Sequence, residues 1–321
     1  MVIARQESPL IALTGATGFI GRHLLRELPK RGYRLLVLLR RPSQTAMDSA
    51  SAVVGDLARP QNMSAALAGV DAIIHSAGIA HAMSGRPEDD YRVLNTEATI
   101  GLARAAERSG VKRFVFLSSI RAQVGPAAED VLTEDLEPRP TDAYGKSKLA
   151  AERGLEQLGI DWVALRPVLV YGPGVGGNMA TFVKLARSPY PLPLASLTAR
   201  RSLLSVDNLV DAVDTVLTAT TPLRRPLIVA DAEDLTMPEM ITAMRAAIGR
   251  RPRLLPVPAP VLAMALKAVR RGEWIQRLTG SLMVDASALR GLGWTPRIAT
   301  PVGLAALMAD SGAEHATLFS L

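Results

Sequence analysis

Leu10-Ile-Ala-Leu-Thr-Gly15-Ala-Thr-Gly18-Phe-Ile-Gly21-Arg-His-Leu-Leu-Arg-Glu-Leu28 is the stretch on which the fold turns. Its first five residues form a short continuous apolar run, as expected of a parallel strand covered on both faces. The last seven alternate apolar and charged residues in the manner of an amphipathic helix. Between them stand three glycines spaced GxxGxxG rather than GxGxxG. The first allows a tight turn, the second lets a pyrophosphate approach the backbone, and the third lets the helix pack close to the strand. Three glycines alone would be weak evidence, but between a strand and a helix they point to dinucleotide binding.

Working outward, Tyr33-Arg-Leu-Leu-Val-Leu-Leu39 reads as a second strand, and Arg40-Arg41 follows it. An acid about 20 residues past the glycines would hold the ribose 2′-hydroxyl of NAD. Arginines stand there instead, and a guanidinium suits a 2′-phosphate. The expectation is a preference for NADP(H), with Arg40 the main contact, Arg41 assisting, and NAD(H) the alternative. Further strands are expected at Ala52–Leu57, Val70–His75, Lys112–Leu117 and Ile160–Leu165, and a helix over Glu88–Ser109 that ends at Gly110. Asp56 at the end of the third strand is placed to meet the adenine amino group. His75-Ser76-Ala77-Gly78 ends the fourth strand in small residues that let the backbone lie against a cofactor, and His75 is read as a strand-end core residue. Ser118-Ser119 ends the fifth. Strand–helix alternation from residue 10 to about 170 is the pattern of a doubly wound α/β sheet.

Thr141-Asp-Ala-Tyr144-Gly-Lys-Ser-Lys148-Leu-Ala-Ala-Glu152 carries the chemistry. A Tyr and a Lys four apart share a helix face. Bringing a tyrosine from a pKa of ~10 to neutrality needs about 4 kcal/mol, of which a nearby ammonium can supply much. The pair would then serve as a general acid/base. Alone, a YxxxK pattern is common, and its meaning rests on its surroundings.

Composition narrows the remaining classes. The chain has 321 residues, 48% hydrophobic and 21% charged, enough for one large or two modest domains. No apolar run approaches the roughly 18 residues of a spanning helix. Met1–Leu10 lacks the apolar core of a signal peptide. With no Cys, thiolate chemistry is excluded, and four His (23, 75, 81, 315) lack ligand-like spacing, so no metal site is expected. A reducing cytoplasm fits. The net charge of +7 is spread over arginine pairs (40-41, 200-201, 224-225, 250-251, 270-271), and aromatics are only 4%. Nucleic-acid binding is therefore not expected.

Together these residues resemble the extended short-chain dehydrogenase/reductases, in their nucleotide-sugar epimerase/dehydratase branch. The likeness rests on Thr14–Gly21, Gly55-Asp-Leu57, His75–Gly78, Asn95-Thr96, Ser118-Ser119, Tyr144–Lys148, Arg166-Pro167 and Tyr171-Gly-Pro-Gly174. In the second half it rests on Arg201–Ala212 and Val284–Pro296. The resemblance implies a Rossmann-type doubly wound parallel sheet over 1–170, with a smaller C-terminal α/β substrate-binding lobe over 171–321. Some chain would return to the sheet around 200–235. It implies that Gly15, Thr17, Gly18, Phe19, Ile20, Gly21, Asp56, Leu57, Ser76, Ala77, Gly78, Asn95, Ser118 and Pro167 meet the cofactor. Tyr144 would exchange the proton of a sugar hydroxyl, and Lys148 would hold the nicotinamide ribose and lower the Tyr144 pKa. Asn178 and Arg201 would meet the substrate diphosphate, with Arg200 a solvated neighbour. The family's usual catalytic Ser or Thr falls at Ile120, so either Ser119 takes that role or the hydroxyl is missing; Ser119 is expected.

The likeness is to a UDP-glucose 4-epimerase-like subgroup that includes UDP-4-keto-6-deoxy-sugar reductases of surface-polysaccharide synthesis. Arg40-Arg41 favours the reductase, with the 4-epimerase as alternative. A dehydratase would want an Asp-Glu pair where Ile120-Arg121 stands. A non-catalytic dinucleotide sensor and an enzyme of a non-sugar ketone are the remaining alternatives. Relatives often dimerise through helices corresponding to 88–109 and 140–158.

Overall fold

The computed structural model describes residues 8–42, 49–59, 63–79, 87–268 and 274–318. His81, the Arg270-Arg271 pair and the first seven residues lie outside them. The chain forms two compact units. The first comprises 1–123, 140–166 and 210–227, and the second 124–139, 167–209 and 228–321. The single boundary expected near 170 thus misses an early excursion, residues 124–139, which belongs with the second unit.

The strands are β1 (Leu10–Thr14), β2 (Arg34–Leu39), β3 (Ala50–Val53), β4 (Ala72–His75), β5 (Arg113–Leu117), β6 (Asp161–Pro167), β7 (Leu169–Tyr171), β8 (Arg200–Ser205), β9 (Arg225–Val229) and β10 (Asp234–Thr236). Seven form one sheet in the order β3-β2-β1-β4-β5-β6-β9. The pairings among β1 to β6 are all parallel, with Leu13 opposite Val37 on one side and Ile74 on the other. The strands nearest the middle are buried and mostly apolar because both faces are covered, with their polar residues Thr14, His75 and Arg113 at the strand ends. On one face Leu102, Ala103 and Ala106 of helix Ala98–Arg108, with Ala151 and Leu155 of helix Ala143–Glu156, pack on Ala12, Ile73, Phe114, Phe116 and Ala164. This is the doubly wound order, and it reverses between β1 and β4, where such sheets open a crevice at their carboxyl ends.

Two expected elements differ. The third strand runs Ala50–Val53, so Asp56 lies in the turn beyond it rather than at its end. The helix expected over 88–109 is interrupted, with a π-helical turn at Arg92–Glu97 between Glu88–Tyr91 and Ala98–Arg108. Periodicity could not show this, because a π turn inserts one residue per turn while leaving the apolar stripe readable.

In the second unit β8 pairs with β7 in parallel and with β10 antiparallel. Leu203, Leu235, Phe182, Met240, Ile241, Met244 and Leu304 form its core. Helix Met237–Ala247 starts with a full capping box between Thr236 and Glu239. Arg245 on it is 1% exposed and donates to the carbonyls of Ala186, Ser188 and Tyr190, stopping the helix Gly177–Arg187.

In the first unit Arg113 does a similar task. It donates to Asp161 (2.7 Å) and to the carbonyls of Val216, Ala219 and Thr221 (2.7–2.9 Å). Arg113→Met strands the Asp161 charge and these acceptors. It is expected to cost about 3–5 kcal/mol of stability, measured by urea unfolding.

Candidate active site

At the carboxyl ends of β1, β2 and β4 lies a cavity of about 320 Å³. Thr14, Gly15, Thr17, Leu38, Arg40, Asp56, Leu57, Ala77 and Gly78 are among the residues lining it. Its floor is the glycine turn. Gly15 has φ +73°, and a Cβ there would stand 2.6 Å from the Ala77 nitrogen. A Cβ on Gly21 would collide with the Gly15 carbonyl oxygen. Gly18 caps the helix Phe19–Glu27 without a side chain, so the free amides of its first turn are available to an anion. Phe19 and Ile20 lie in that first turn, and Gly21 is buried beneath the turn of Gly15. These features fit a dinucleotide: a side-chain-free cradle, a helix amino end, and an exposed cation, Arg40, at the rim. Arg41 is exposed and not among the lining residues.

The wall of the cavity is fixed by a chain of buried hydrogen bonds. The Thr99 hydroxyl gives its one proton to the Asn95 carbonyl (2.7 Å), so at 3.0 Å it accepts from His75 Nε2. His75 Nδ1 therefore accepts from the Thr14 hydroxyl (2.7 Å), which in turn accepts the Ala77 amide (3.2 Å). His75 is thus neutral with its proton on Nε2, assigned from these partners. Burial, with the charge of Lys148 second, pushes its pKa down to about 3. Ser76 lies half-buried between these partners.

Asn95, buried in the π turn, accepts from the Ile79 amide (2.8 Å) and donates to the Ile79 carbonyl (3.2 Å) and Ser147 Oγ (3.1 Å). It ties the cavity wall to the helix that bears Tyr144 and Lys148. That helix begins at an Asp142 cap whose carboxylate takes the Gly145 amide (2.7 Å) and pairs with Arg121.

Ser119 stands beside Tyr144. Its oxygen accepts the Arg121 amide (3.2 Å), and its hydroxyl hydrogen-bonds to the Tyr144 phenol, stabilising the phenolate. Burial nevertheless outweighs that bond and pushes the Tyr144 pKa up to about 12. The expected drop toward neutrality, driven by Lys148, does not occur here. The Lys148 ammonium donates to the Leu117 carbonyl (2.9 Å) and lies 4.5 Å over the Phe116 ring but 6.0 Å from the Tyr144 ring centre. Burial lowers its own pKa to about 8, opposed by the charge of Glu152.

Ser118 is committed elsewhere. Its hydroxyl donates to Glu152, which is held by Arg166 at 2.5 Å, and Arg166 also donates to Gln123 (2.9 Å). Glu152 and Arg166 are 2–3% exposed. Motif spacing alone did not assign this pair. The available signal was an acid four residues past Lys148, one turn further along the same helix face. Among the described residues, no cluster of His, Asp and Glu is disposed to hold a metal ion.

Of the remaining residues, Pro167 closes β6. Asn178, half-buried, lies in the first turn of its helix in the second unit. Arg201 on β8 donates to the carbonyls of Pro126 (3.0 Å) and Gly280 (2.9 Å), and beside it is a small apolar cavity with Leu169, Met179, Phe182 and Met240. Arg200 is exposed and bonds to the Asp234 carbonyl (2.5 Å).

Residues 11–228 match the family model described as the NAD dependent epimerase/dehydratase family. The chain belongs to that family. A UDP-glucose 4-epimerase of Vibrio cholerae is 35% identical over 301 residues, covering 89% of this chain and 90% of that protein. A ceramide reductase of Caulobacter vibrioides is 30% identical over 302 residues, covering 89% and 86%. Among solved structures, MoeE5 in complex with UDP-glucose and NAD aligns with a TM-score of 0.70 and 29% identity, covering 95% of this chain and 99% of that one. As an enzyme of the epimerase/dehydratase family, the chain has a parallel sheet with a crevice at its carboxyl ends.

Because the folded protein keeps His75 neutral below its ordinary pKa of 6.5, only the unfolded chain takes up that proton between about pH 6.5 and 3. The stability it contributes is present above pH 6.5 and is lost as the pH falls through that window. His75→Gln, which retains hydrogen-bonding groups without the titration, is expected to flatten the slope of unfolding free energy against pH there. An unchanged slope would contradict the neutral assignment.

Proposed function

We propose that the protein is an NAD(P)-dependent oxidoreductase acting at C4 of a UDP-sugar, and specifically a 4-reductase of a UDP-4-keto-6-deoxy sugar. The observation that carries it is the placing of Ser119 and a protonated Tyr144 together, tied through Asn95 to a dinucleotide cradle with Arg40 at its rim. The dinucleotide, when bound, supplies hydride transfer at a carbinol or carbonyl carbon. Gly15, Thr17, Asp56, Leu57, Ala77 and Gly78 hold it, and Arg40 favours the 2′-phosphate of NADP(H). Lys148 presents its ammonium to the nicotinamide ribose. Tyr144 gives its proton to the substrate oxygen, and Ser119 donates to the resulting phenolate and steadies it. A buried phenol with a raised pKa is stored as the acid, the form a reduction consumes. Asn178 and Arg201 act on the substrate diphosphate, and the carbonyls of Pro126 and Gly280 hold the guanidinium in place for it.

The UDP-sugars in the names of the Vibrio relative and of MoeE5 support this substrate class, and the former supports a 4-epimerase as the alternative. Ile120 is 3% exposed and apolar, which disfavours elimination by an acid–base pair at that position. A second reading, reduction of a lipid-like ketone, is favoured by the ceramide reductase relative. Inhibition by UDP competitive with substrate supports the sugar reading, whereas indifference to UDP supports the lipid one.

The direct test incubates the protein with a UDP-4-keto-6-deoxy-N-acetylhexosamine and NADPH, against UDP-glucose without added cofactor. Cofactor oxidised in proportion to product identifies a reductase; interconversion without consumption identifies an epimerase. NADPH is expected to outperform NADH, and equal or better use of NADH would contradict the role of Arg40. Tyr144→Phe is expected to lower kcat by about 10²–10⁴ with dinucleotide affinity kept. A variant of undiminished turnover would remove Tyr144 from the role of proton donor.

A further inference from the structure

The net excess of positive charge falls in two stretches of the sequence. Residues 167–206 and 240–284 hold twelve Lys and Arg against one acid, Glu273, so the rest of the chain nets −4 against the total of +7. Both stretches belong to the second unit. They also carry some of the most exposed large apolar side chains: Tyr190 (73%), Met264 (66%), Leu255 (48%) and Val261 (47%).

These four residues form part of one continuous region. The Arg253 guanidinium donates to the Pro189 carbonyl (3.3 Å), next to Tyr190. The Leu192 amide donates to the Arg253 carbonyl (3.0 Å) and the Leu255 amide to the Leu192 carbonyl (2.8 Å), stitching the two segments together. The chain then enters helix Ala259–Ala268. Ala259 and Leu262 pack on the core of the unit, while Val261 and Met264, three apart on one face, are exposed. Exposed Lys184, Arg250, Arg251, Arg253 and Lys267 lie in the same segments.

We propose that this face docks on an anionic lipid bilayer. Protruding apolar groups on a short helix lying against the protein, with an aromatic ring and cations in the adjoining segments, are the elements that seat a peripheral protein at the headgroup level. Each cation near an anionic surface contributes attraction that salt removes. A second copy of the chain is a poorer occupant, because pairing this face with itself would oppose like charges. Among the described residues no helix is long and apolar enough to cross a membrane, so the contact is peripheral. The docking is independent of which substrate the active site reduces.

The test is cosedimentation of the full chain with vesicles of phosphatidylcholine alone or of equal parts phosphatidylcholine and phosphatidylglycerol. The protein is expected to pellet with the mixed vesicles at low salt, and about tenfold less with phosphatidylcholine or at high salt. Val261→Asp with Met264→Asp, and separately Arg251→Gln with Lys267→Gln, are each expected to weaken partition about tenfold. Both pairs should leave dinucleotide binding intact, which reports on folding. Failure to pellet with anionic vesicles, equal pelleting with neutral ones, or wild-type partition by either double variant overturns the proposal. Self-association that Val261→Asp with Met264→Asp abolishes, in a protein that ignores vesicles, would assign the face to a second copy and overturn it equally.

Discussion

The side-chain amide of Asn95 joins the two halves of the candidate site. It is fully buried, bonds to both the amide and the carbonyl of Ile79, and reaches Ser147 on the helix of Tyr144 and Lys148. The backbone carbonyl of Asn95 accepts the Thr99 hydroxyl and so begins the chain of hydrogen bonds through His75 and Thr14 to the Ala77 amide. A buried polar group left unpaired is costly, so each member of such a network holds its neighbours to one geometry. The cavity wall and the helix of Tyr144 and Lys148 are thereby fixed relative to each other by hydrogen bonds rather than by apolar packing alone. The π turn at Arg92–Glu97 coincides with Asn95, as such bulges often coincide with functional positions.

Burial governs the charges around this junction. It raises the Tyr144 pKa, lowers that of Lys148 and keeps His75 neutral. Glu152 opposes the trend at Lys148, and its own charge is compensated by Arg166. The result is an ammonium whose proton is held less tightly than in water and a phenol that stays protonated, with the Ser119 hydroxyl bonded to it.

Much of the fold was legible because its signals are local. The apolar runs of β1, β2, β4, β5 and β6 and the three glycines register as strand, turn and helix over a few residues. Less legible were features that depend on distant partners. The third strand runs Ala50–Val53 and not Ala52–Leu57, since pairing with Leu36–Leu39 of β2 recruits Ala50 and Ser51, small residues with no strand signal of their own. The excursion of 124–139 is marked as an acidic segment by Glu129, Asp130, Glu134, Asp135 and Glu137, but such charge signals a solvated stretch and not the unit it joins. At the site, burial and not Lys148 sets the direction of the Tyr144 shift, which the spacing of the two residues does not show. Helical spacing sets the face a residue occupies, but the Leu117 carbonyl and the Phe116 ring decide where the ammonium rests. Likewise the commitment of Ser118 to Glu152 depends on a residue 34 positions away.

The central claim is that the dinucleotide cradle and the Tyr144–Ser119 pair act on one carbon of the substrate, hydride on the carbon and proton on its oxygen. It is tested most directly by running the reduction of a UDP-4-keto-6-deoxy sugar with NADPH deuterated at C4 of the nicotinamide, once in each stereochemical position. The deuterium is then located in the product by NMR. The account predicts that one of the two labelled cofactors places deuterium on sugar C4. Product with hydrogen at C4 from both cofactors, or label at another carbon, would contradict it.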